Sequence, residues 1–113
     1  TLLEYAKQMR VEPNQVSSQI DRSPSLTIFT FNMAYNLRIG ISVLASLSLS
    51  LRGTAEVFQK EIEGLRDDVE CGCTFCEAMA KRGSIFDRMY VNIIRAGEIS
   101  DTLPQSFAIL ATL

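Results

Sequence analysis

The sequence has no histidine and no tryptophan, and it has only three cysteines and three prolines in 113 residues. Without histidine, no Ser-His or Cys-His pair can activate a nucleophile. Neither a Walker-type phosphate loop nor a Gly-x-Gly-x-x-Gly fingerprint is present, although these are the motifs expected of phosphate- and dinucleotide-binding folds. The absences therefore argue against the common classes of hydrolase, nucleotide-dependent enzyme and dehydrogenase.

A strong charge of either sign is also missing, because 11 basic residues oppose 13 acidic ones for a net charge of -2. A nucleic-acid-binding domain would instead carry a basic face or stripe, so we expect no nucleic-acid partner. The length is that of one domain. The sequence begins at Thr1 without a methionine, and we expect it to be a piece of a longer protein.

Long hydrophobic segments are lacking as well. The most apolar stretch, Leu26 to Leu51, is interrupted by Asn32, Asn36 and Arg38. A membrane-spanning helix needs roughly 20 predominantly apolar residues with few or no charges. The stretch is therefore better explained by helices that each bury one face.

The cysteines, Cys71, Cys73 and Cys76, leave two interpretations open. Their odd number argues against a secreted disulfide framework and favours a reducing compartment. Three clustered thiolates could hold a metal, but a structural zinc site normally needs four ligands, so a nearby glutamate or a second chain would have to complete it. The alternative, which we favour, is that one or two cysteines fill small spaces in the core around Gly72.

Apolar residues recur at intervals of three and four along most of the chain, which predicts helices throughout. A first short helix is predicted around Leu2, Leu3, Tyr5, Ala6 and Met9. Residues 13–25 have no clear period and are interpreted as a connection. Further helices are predicted from Ser25 to about Gly40, Ser42 to Leu51, Thr54 to Gly72, Thr74 to about Arg82, Ile85 to Ala96, and Thr102 onward. The predicted fold is an all-α, compact bundle of about six helices, several of them short.

Local signals define several helix ends. Gly40, Gly72 and Gly97 are predicted to form corners between helices, because glycine readily adopts the positive φ of a helix C-terminus. Thr74 followed by Glu77 is a capping box that marks a helix start. One helix is predicted to bury a stripe formed by Val57, Phe58, Ile62, Leu65 and Val69.

The segment Tyr90 to Leu103 combines a predicted helix end with a predicted helix start. Ser100 or Asp101 is expected to cap the second helix, and Pro104 is tolerated in its first turn. Glu98 is expected to lie near the same helix N-terminus, where a negative charge is favourable.

Three charged residues, Arg95, Glu98 and Asp101, are expected on the outside of this corner, where they are candidates for partner contacts. The oxygen ligands of Glu98 and Asp101 could also hold a divalent cation such as Ca²⁺. Between these two interpretations we favour helix capping and partner contact over a bound metal, so no cofactor is expected.

Several sequence motifs resemble those of a known protein family. The stretch Tyr-Val-Asn-Ile-Ile-Arg-Ala-Gly-Glu at residues 90–98 resembles a motif of the platform (F-protein) family of bacterial type II secretion and type IV pilus assembly. Three further landmarks agree with that family in order and spacing: Phe29-Thr30 followed by Gly40, the junction at residues 69–79, and Phe86 four residues before Tyr90. The resemblance covers residues 26–113. The family usually has glycine where Asp101 stands, and the cysteine cluster is not a family feature.

The resemblance implies a parent that is a multi-pass protein of the bacterial inner membrane, with two related copies of this helical domain on the cytoplasmic face. Residues 1–25 would then form an N-terminal helix and connecting arm, and residues 26–113 the F-type helical domain. The drift from the family pattern suggests a type IVb platform protein of the toxin-coregulated pilus kind.

The resemblance also implies a function without catalysis. The domain would scaffold assembly, contacting the assembly ATPase, other inner-membrane platform proteins, a second copy of itself and, through the full-length protein, pilin subunits. Some relatives bind a divalent cation through acidic residues of this domain, which bears on Glu98 and Asp101. Charge reversal at Arg95 and Glu98 is expected to impair pilus assembly and leave the fold intact. The alternative function is a small cysteine-based metal-binding or redox-responsive module.

Overall fold

The computed structural model describes residues 23–113, and in this part of the chain it has six α-helices and no strand. In chain order the helices are α1 (Ser23–Arg38), α2 (Val43–Leu49), α3 (Glu56–Glu70), α4 (Phe75–Ala80), α5 (Arg88–Ser100) and α6 (Leu103–Thr112). The predicted all-α bundle is confirmed. The first helix predicted around Leu2 to Met9 lies outside the described residues.

An aromatic cluster fills the centre of the bundle. The ring of Phe29 on α1 lies 5.6 Å from that of Phe58, 6.3 Å from that of Phe86 and 6.5 Å from that of Phe107, measured between centroids. All four side chains are at most 3 % exposed. Because each tilted or edge-on pair is worth about 0.5–1.5 kcal/mol beyond the area it buries, this cluster holds α1, α3, α6 and the segment before α5 on one core.

Most junctions follow their sequence signals. Gly40 and Gly72 lie after α1 and α3 with φ of 95° and 109°, in the region that favours glycine. Ser42 and Thr74 are the N-caps of α2 and α4, and each accepts a backbone N–H with its side-chain oxygen. These helix starts were predicted correctly from local sequence.

The predicted start of α1 at Ser25 is wrong. This helix already begins at Ser23, so Ser25 lies inside its first turn. The Ser25 hydroxyl is buried and accepts the N–H of Ala55 at 3.0 Å, immediately before α3. Ser25 therefore joins two helices that are distant in sequence.

The predicted buried stripe of α3 and the predicted start of α5 are both wrong in part. Val57 is 76 % exposed, whereas Phe58, Ile62 and Leu65 are buried, because the buried stripe of α3 is narrower than the sequence suggested. Helix α5 begins at Arg88, not near Ile85, since the side chain of Asp87 accepts the N–H of Tyr90 at 2.8 Å and fixes the start there.

No helix within residues 23–113 has both the length and the apolar character needed to cross a bilayer.

Candidate functional site

The carboxylate of Glu98 caps a helix other than its own. Glu98 lies in the last turn of α5, and its Oε2 accepts the N–H of Phe75 at 2.7 Å while its Oε1 accepts that of Cys76 at 2.8 Å. Phe75 and Cys76 are the first residues of α4, where N–H groups lack intrahelical acceptors and the helix dipole favours a negative charge. Glu98 therefore fastens the end of α5 to the start of α4.

The capping box completes the same helix start. Thr74 Oγ1 accepts the N–H of Glu77 at 3.2 Å and donates to Glu77 Oε1 at 2.9 Å. The N–H groups of three successive residues, from Phe75 to Glu77, thus each have a side-chain acceptor. The start of α4 is satisfied by its own sequence and by a carboxylate from α5.

This geometry changes the interpretation of Glu98. A capping role was expected, but at α6, whereas the structure places the carboxylate on α4. The sequence marks the start of α4 through Thr74 and Glu77, but the pairing with Glu98 depends on how α5 packs. Charge reversal at Glu98 would place a cation against two N–H groups, so the expectation that such a variant keeps its fold is corrected.

Gly97 is not a helix end, contrary to the prediction, because α5 continues to Ser100. A Cβ atom at Gly97 would collide with Ser106 Oγ and would lie 3.0 Å from Ser106 Cβ and 3.4 Å from the Cα of Leu103. The missing side chain therefore lets α6 approach the backbone of α5 closely. Glycine is required here for packing and not for a turn.

The turn itself is made by Asp101. Its φ is 57° and its ψ is 44°, which is the left-handed conformation, and it ends α5 as the C-cap. The N–H of Thr102 then donates to the carbonyl of Gly97 at 2.8 Å. Thr102, and not Ser100 or Asp101, stands at the N-cap of α6 and makes no side-chain cap bond, so the predicted cap is wrong.

The conformation of Asp101 also explains a departure from the family pattern. Glycine, which the resemblance leads one to expect at this position, adopts the left-handed region without steric cost. For most other residues this region costs roughly 1–2 kcal/mol, although aspartate and asparagine visit it more readily than the rest. Asp101 thus keeps the backbone geometry for which the family's glycine is suited.

The three candidate partner residues do not converge on one site. Arg95 and Asp101 are exposed, and Arg95 donates through Nη1 to Asn92 Oδ1 at 3.0 Å. Glu98 is half-buried between α4 and α5. Within residues 23–113 no group of three cysteine, aspartate or glutamate side chains is placed to hold a metal ion. Cation binding by Glu98 and Asp101, the interpretation we did not favour, stays an untested alternative.

The cysteines occupy three different environments. Cys71 is exposed, Cys73 is half-buried and Cys76 is buried, and all three are free thiols. Lys81 Nζ lies 3.6 Å from Cys73 Sγ, and Thr74 Oγ1 lies 3.4 Å from Cys76 Sγ. Core filling describes Cys76 but not Cys71, and the cysteine-based metal module is not favoured.

An ionic contact that the sequence did not reveal joins α3 to the end of α4. Arg82 donates from Nη1 to Asp68 Oδ2 at 2.9 Å and to the carbonyl of Ala78 at 2.8 Å, and from Nε to the carbonyl of Glu61 at 3.0 Å. The hydrogen bond from Arg82 lowers the pKa of Asp68. Nothing local in the sequence pairs Asp68 with Arg82, because the two residues lie on different elements.

A buried hydrogen bond joins α1 to α5. The hydroxyl of Thr30 donates to the carbonyl of Leu26 at 2.7 Å and lies 2.7 Å from Tyr90 Oη. Since the single proton of Thr30 is used, Tyr90 is the donor in this pair. Burial of the phenol raises the pKa of Tyr90.

Several residues that carry the family resemblance pack together where α1 meets α5. Phe29 and Phe86 pack at 6.3 Å and Phe86 and Tyr90 at 5.1 Å between ring centroids, and Tyr90 binds Thr30. These motifs therefore describe how α1 and α5 share the core, and not a catalytic arrangement.

The comparisons with known proteins agree with this fold-defining signature. Residues 29–113 match the family model described as Type II secretion system (T2SS), protein F. The chain is 39 % identical over 88 residues to the Type IV pilus assembly protein PilC of Thermus thermophilus, covering 74 % of this chain and 21 % of that protein. It is 28 % identical over 79 residues to PilC of Myxococcus xanthus, covering 69 % of this chain and 19 % of that protein.

The chain thus spans about a fifth of the length of these curated relatives. Neither match bears on the toxin-coregulated pilus subtype, which stays a prediction. The match extends over nearly all of the described helices, from Phe29 in α1 to the end of α6. The chain belongs to the type II secretion system protein F family, as the motifs around Phe29 and Tyr90 had indicated.

Proposed function

We propose that this chain is a cytoplasmic, non-enzymatic scaffold domain of a platform protein for type IV pilus assembly or type II secretion. The observation that carries the proposal is the family match over residues 29–113, together with two curated relatives that are both type IV pilus assembly proteins. In this proposal the parent is a multi-pass protein of the bacterial inner membrane, and the domain lies at its cytoplasmic face.

The domain contacts the assembly ATPase and neighbouring platform proteins, and passes the motion of the ATPase to pilin subunits through the rest of the protein. Such a role requires a body that moves as a unit. The contacts of Glu98 with α4, of Arg82 with Asp68 and of Tyr90 with Thr30 support this, because each fastens one helix or helix end to another. A second copy of the domain is a further partner in this proposal.

The outward face of α5 is the proposed partner surface. Arg95 and Asp101 are exposed there, whereas Glu98 is engaged with α4. Charged groups at the edge of an interface govern partner choice and association rate more than affinity. Arg95 is therefore the side chain whose charge is best placed to select a partner without disturbing the core.

Replacement of Arg95 by glutamate in the full-length protein tests this function. We expect normal protein abundance and a severe loss of surface pili or of secretion, depending on the system. The matched control is Arg52→Glu, since Arg52 is also exposed but lies in the turn between α2 and α3. Full piliation and secretion by Arg95→Glu would remove the face of α5 from the proposal.

A further inference from the structure

Four exposed side chains form a straight stripe along the outward face of α5. This stripe, hereafter the α5 stripe, consists of Arg88, Asn92, Arg95 and Ile99. Consecutive residues of an α-helix are rotated by about 100° around its axis, so these four positions lie within about 60° of one another. The buried residues Tyr90, Ile94 and Gly97 lie on the opposite side of the helix. The α5 stripe therefore faces away from the core of the bundle.

The charged side chains of the α5 stripe are both positive. Within residues 23–113 no carboxylate forms an ion pair with Arg88 or Arg95, and Arg95 donates instead to Asn92 Oδ1 at 3.0 Å. The acidic residue of α5, Glu98, is bound to the start of α4. The stripe is thus cationic, although the chain as a whole has a net charge of -2.

The stability of α5 does not explain why Arg88 and Ile99 stand on this face. Arg88 is the first residue of the helix, where the helix dipole disfavours a positive charge, and no ion pair among the described residues compensates for it. Ile99 is 80 % exposed, the highest value among the large apolar side chains of residues 23–113. Both side chains are therefore available to a partner.

We propose that the α5 stripe binds an acidic helix of a partner protein, a proposal that rests on the proposed function. Two carboxylates seven residues apart on the partner helix pair with Arg88 and Arg95, and an apolar side chain four residues farther along covers Ile99. Positions seven residues apart lie on the same side of a helix at a separation of about 10 Å, which is also the spacing of Arg88 and Arg95. A guanidinium binds a carboxylate with two parallel hydrogen bonds, so the match is geometric as well as electrostatic.

The composition of the stripe favours a protein over a lipid surface. Anionic headgroups are also negatively charged, but the segments that recognise them carry clusters of about 4–8 lysine or arginine residues. Helix α5 has two arginines and no lysine. Arginine is also enriched in protein interfaces, whereas lysine is depleted there. Two arginines that flank Asn92, followed by an exposed isoleucine, are therefore better suited to a protein helix.

A nuclear magnetic resonance titration of the 113-residue chain tests the proposal. The probe is a synthetic helical peptide with two glutamates seven residues apart and a leucine four residues beyond the second; the matched peptide has lysine in place of both glutamates. We expect the acidic peptide to shift the amides of residues 88–99, and the lysine peptide to leave them unchanged. Arg95→Glu should weaken binding of the acidic peptide about fivefold, as loss of a strong exposed ion pair does, and added salt should weaken it further.

The control variant is Arg52→Glu, because Arg52 is exposed but lies in the turn between α2 and α3. It should bind the acidic peptide as the wild type does. Equal binding of the two peptides, or no shift of residues 88–99 with either, would overturn the proposal. Vesicles of phosphatidylglycerol are a second probe, and shifts of residues 88–99 with these vesicles but not with the acidic peptide would assign the stripe to lipid and overturn it as well.

These outcomes are separable from a failure of the proposed function, which is measured by piliation or secretion in cells. If Arg95→Glu abolishes piliation but the acidic peptide does not bind, the platform role stands and the acidic partner is wrong. If the acidic peptide binds but Arg95→Glu assembles pili fully, the preference of the stripe for an acidic helix stands, and the face of α5 has no part in the proposed function.

Discussion

Removal of the Glu98 carboxylate should destabilise the domain more than any exposed charge does. The two N–H groups it binds, of Phe75 and Cys76, lie at 2.7 and 2.8 Å. Hydrogen bonds to charged groups contribute about 1.5–3 kcal/mol each, and loss of a helix N-cap costs about 0.5–2 kcal/mol. Because the site is only half-buried and water can replace part of what is lost, we expect Glu98→Ala to reduce the free energy of unfolding by about 2–3 kcal/mol.

The assay is urea or thermal unfolding followed by circular dichroism. For a domain of this size, each kcal/mol lowers Tm by about 4 °C, so Glu98→Ala should unfold roughly 8–12 °C below the wild type. Glu98→Gln keeps one acceptor oxygen and should lose about half as much stability. Hydrogen exchange should show faster opening at the amides of Phe75 and Cys76 in both variants.

The control variant is Glu63→Ala, which removes an exposed carboxylate from α3. Surface substitutions of this kind usually change stability by less than about 0.5 kcal/mol. Equal stability of Glu98→Ala and Glu63→Ala, or wild-type protection of the α4 amides in Glu98→Ala, would contradict the capping role of Glu98.

Three further variants test the other contacts. Gly97→Ala should lower the free energy of unfolding by about 1–3 kcal/mol, because the added Cβ overpacks Ser106. Gly83→Ala, where a Cβ meets nothing within 4 Å, should be nearly neutral in the same unfolding assay. Equal effects of the two substitutions would contradict the packing role of Gly97. Asp101→Gly should raise the free energy of unfolding by about 0.5–1 kcal/mol by relieving the left-handed conformation, and an unchanged or lower value would contradict that strain. Tyr90→Phe should lose about 0.5–1.5 kcal/mol near neutral pH. Burial raises the pKa of Tyr90 above 10.0 in the folded state, so its contribution to stability is complete below pH 10 and falls above that pH as the unfolded phenol ionises. The free energies of unfolding of wild type and Tyr90→Phe should therefore converge above pH 10. A difference that stays constant with pH would contradict this coupling.

The helix caps and helix ends that were predicted correctly depend on residues close together in the sequence. Ser42 and Thr74 cap the helices they precede, and Gly40 follows α1 with positive φ. Each depends only on a side chain and a backbone within the same turn. The all-α architecture is predictable for a similar reason, because apolar residues at intervals of three and four indicate amphipathic helices whichever helices they pack against.

The errors arose where one residue type serves two purposes. Glycine ends helices and also permits close packing, and the sequence around Gly97 does not distinguish the two because Ser106 is brought against it only by α6. Asp101, and not Gly97, forms the turn after α5, because aspartate tolerates positive φ. Likewise, which helix the Glu98 carboxylate caps depends on how α4 and α5 pack against each other, and no local sequence pattern specifies that packing.

The central proposal is that this domain contacts its partners through the outward face of α5, with the assembly ATPase as the partner to test first. Site-specific photo-crosslinking from position 95 of the full-length protein in cells tests it most directly, with position 52 as the matched control. We expect an adduct with the assembly ATPase from position 95 and not from position 52. Absence of that adduct in cells that assemble pili or secrete normally, or its equal formation from both positions, would contradict the claim.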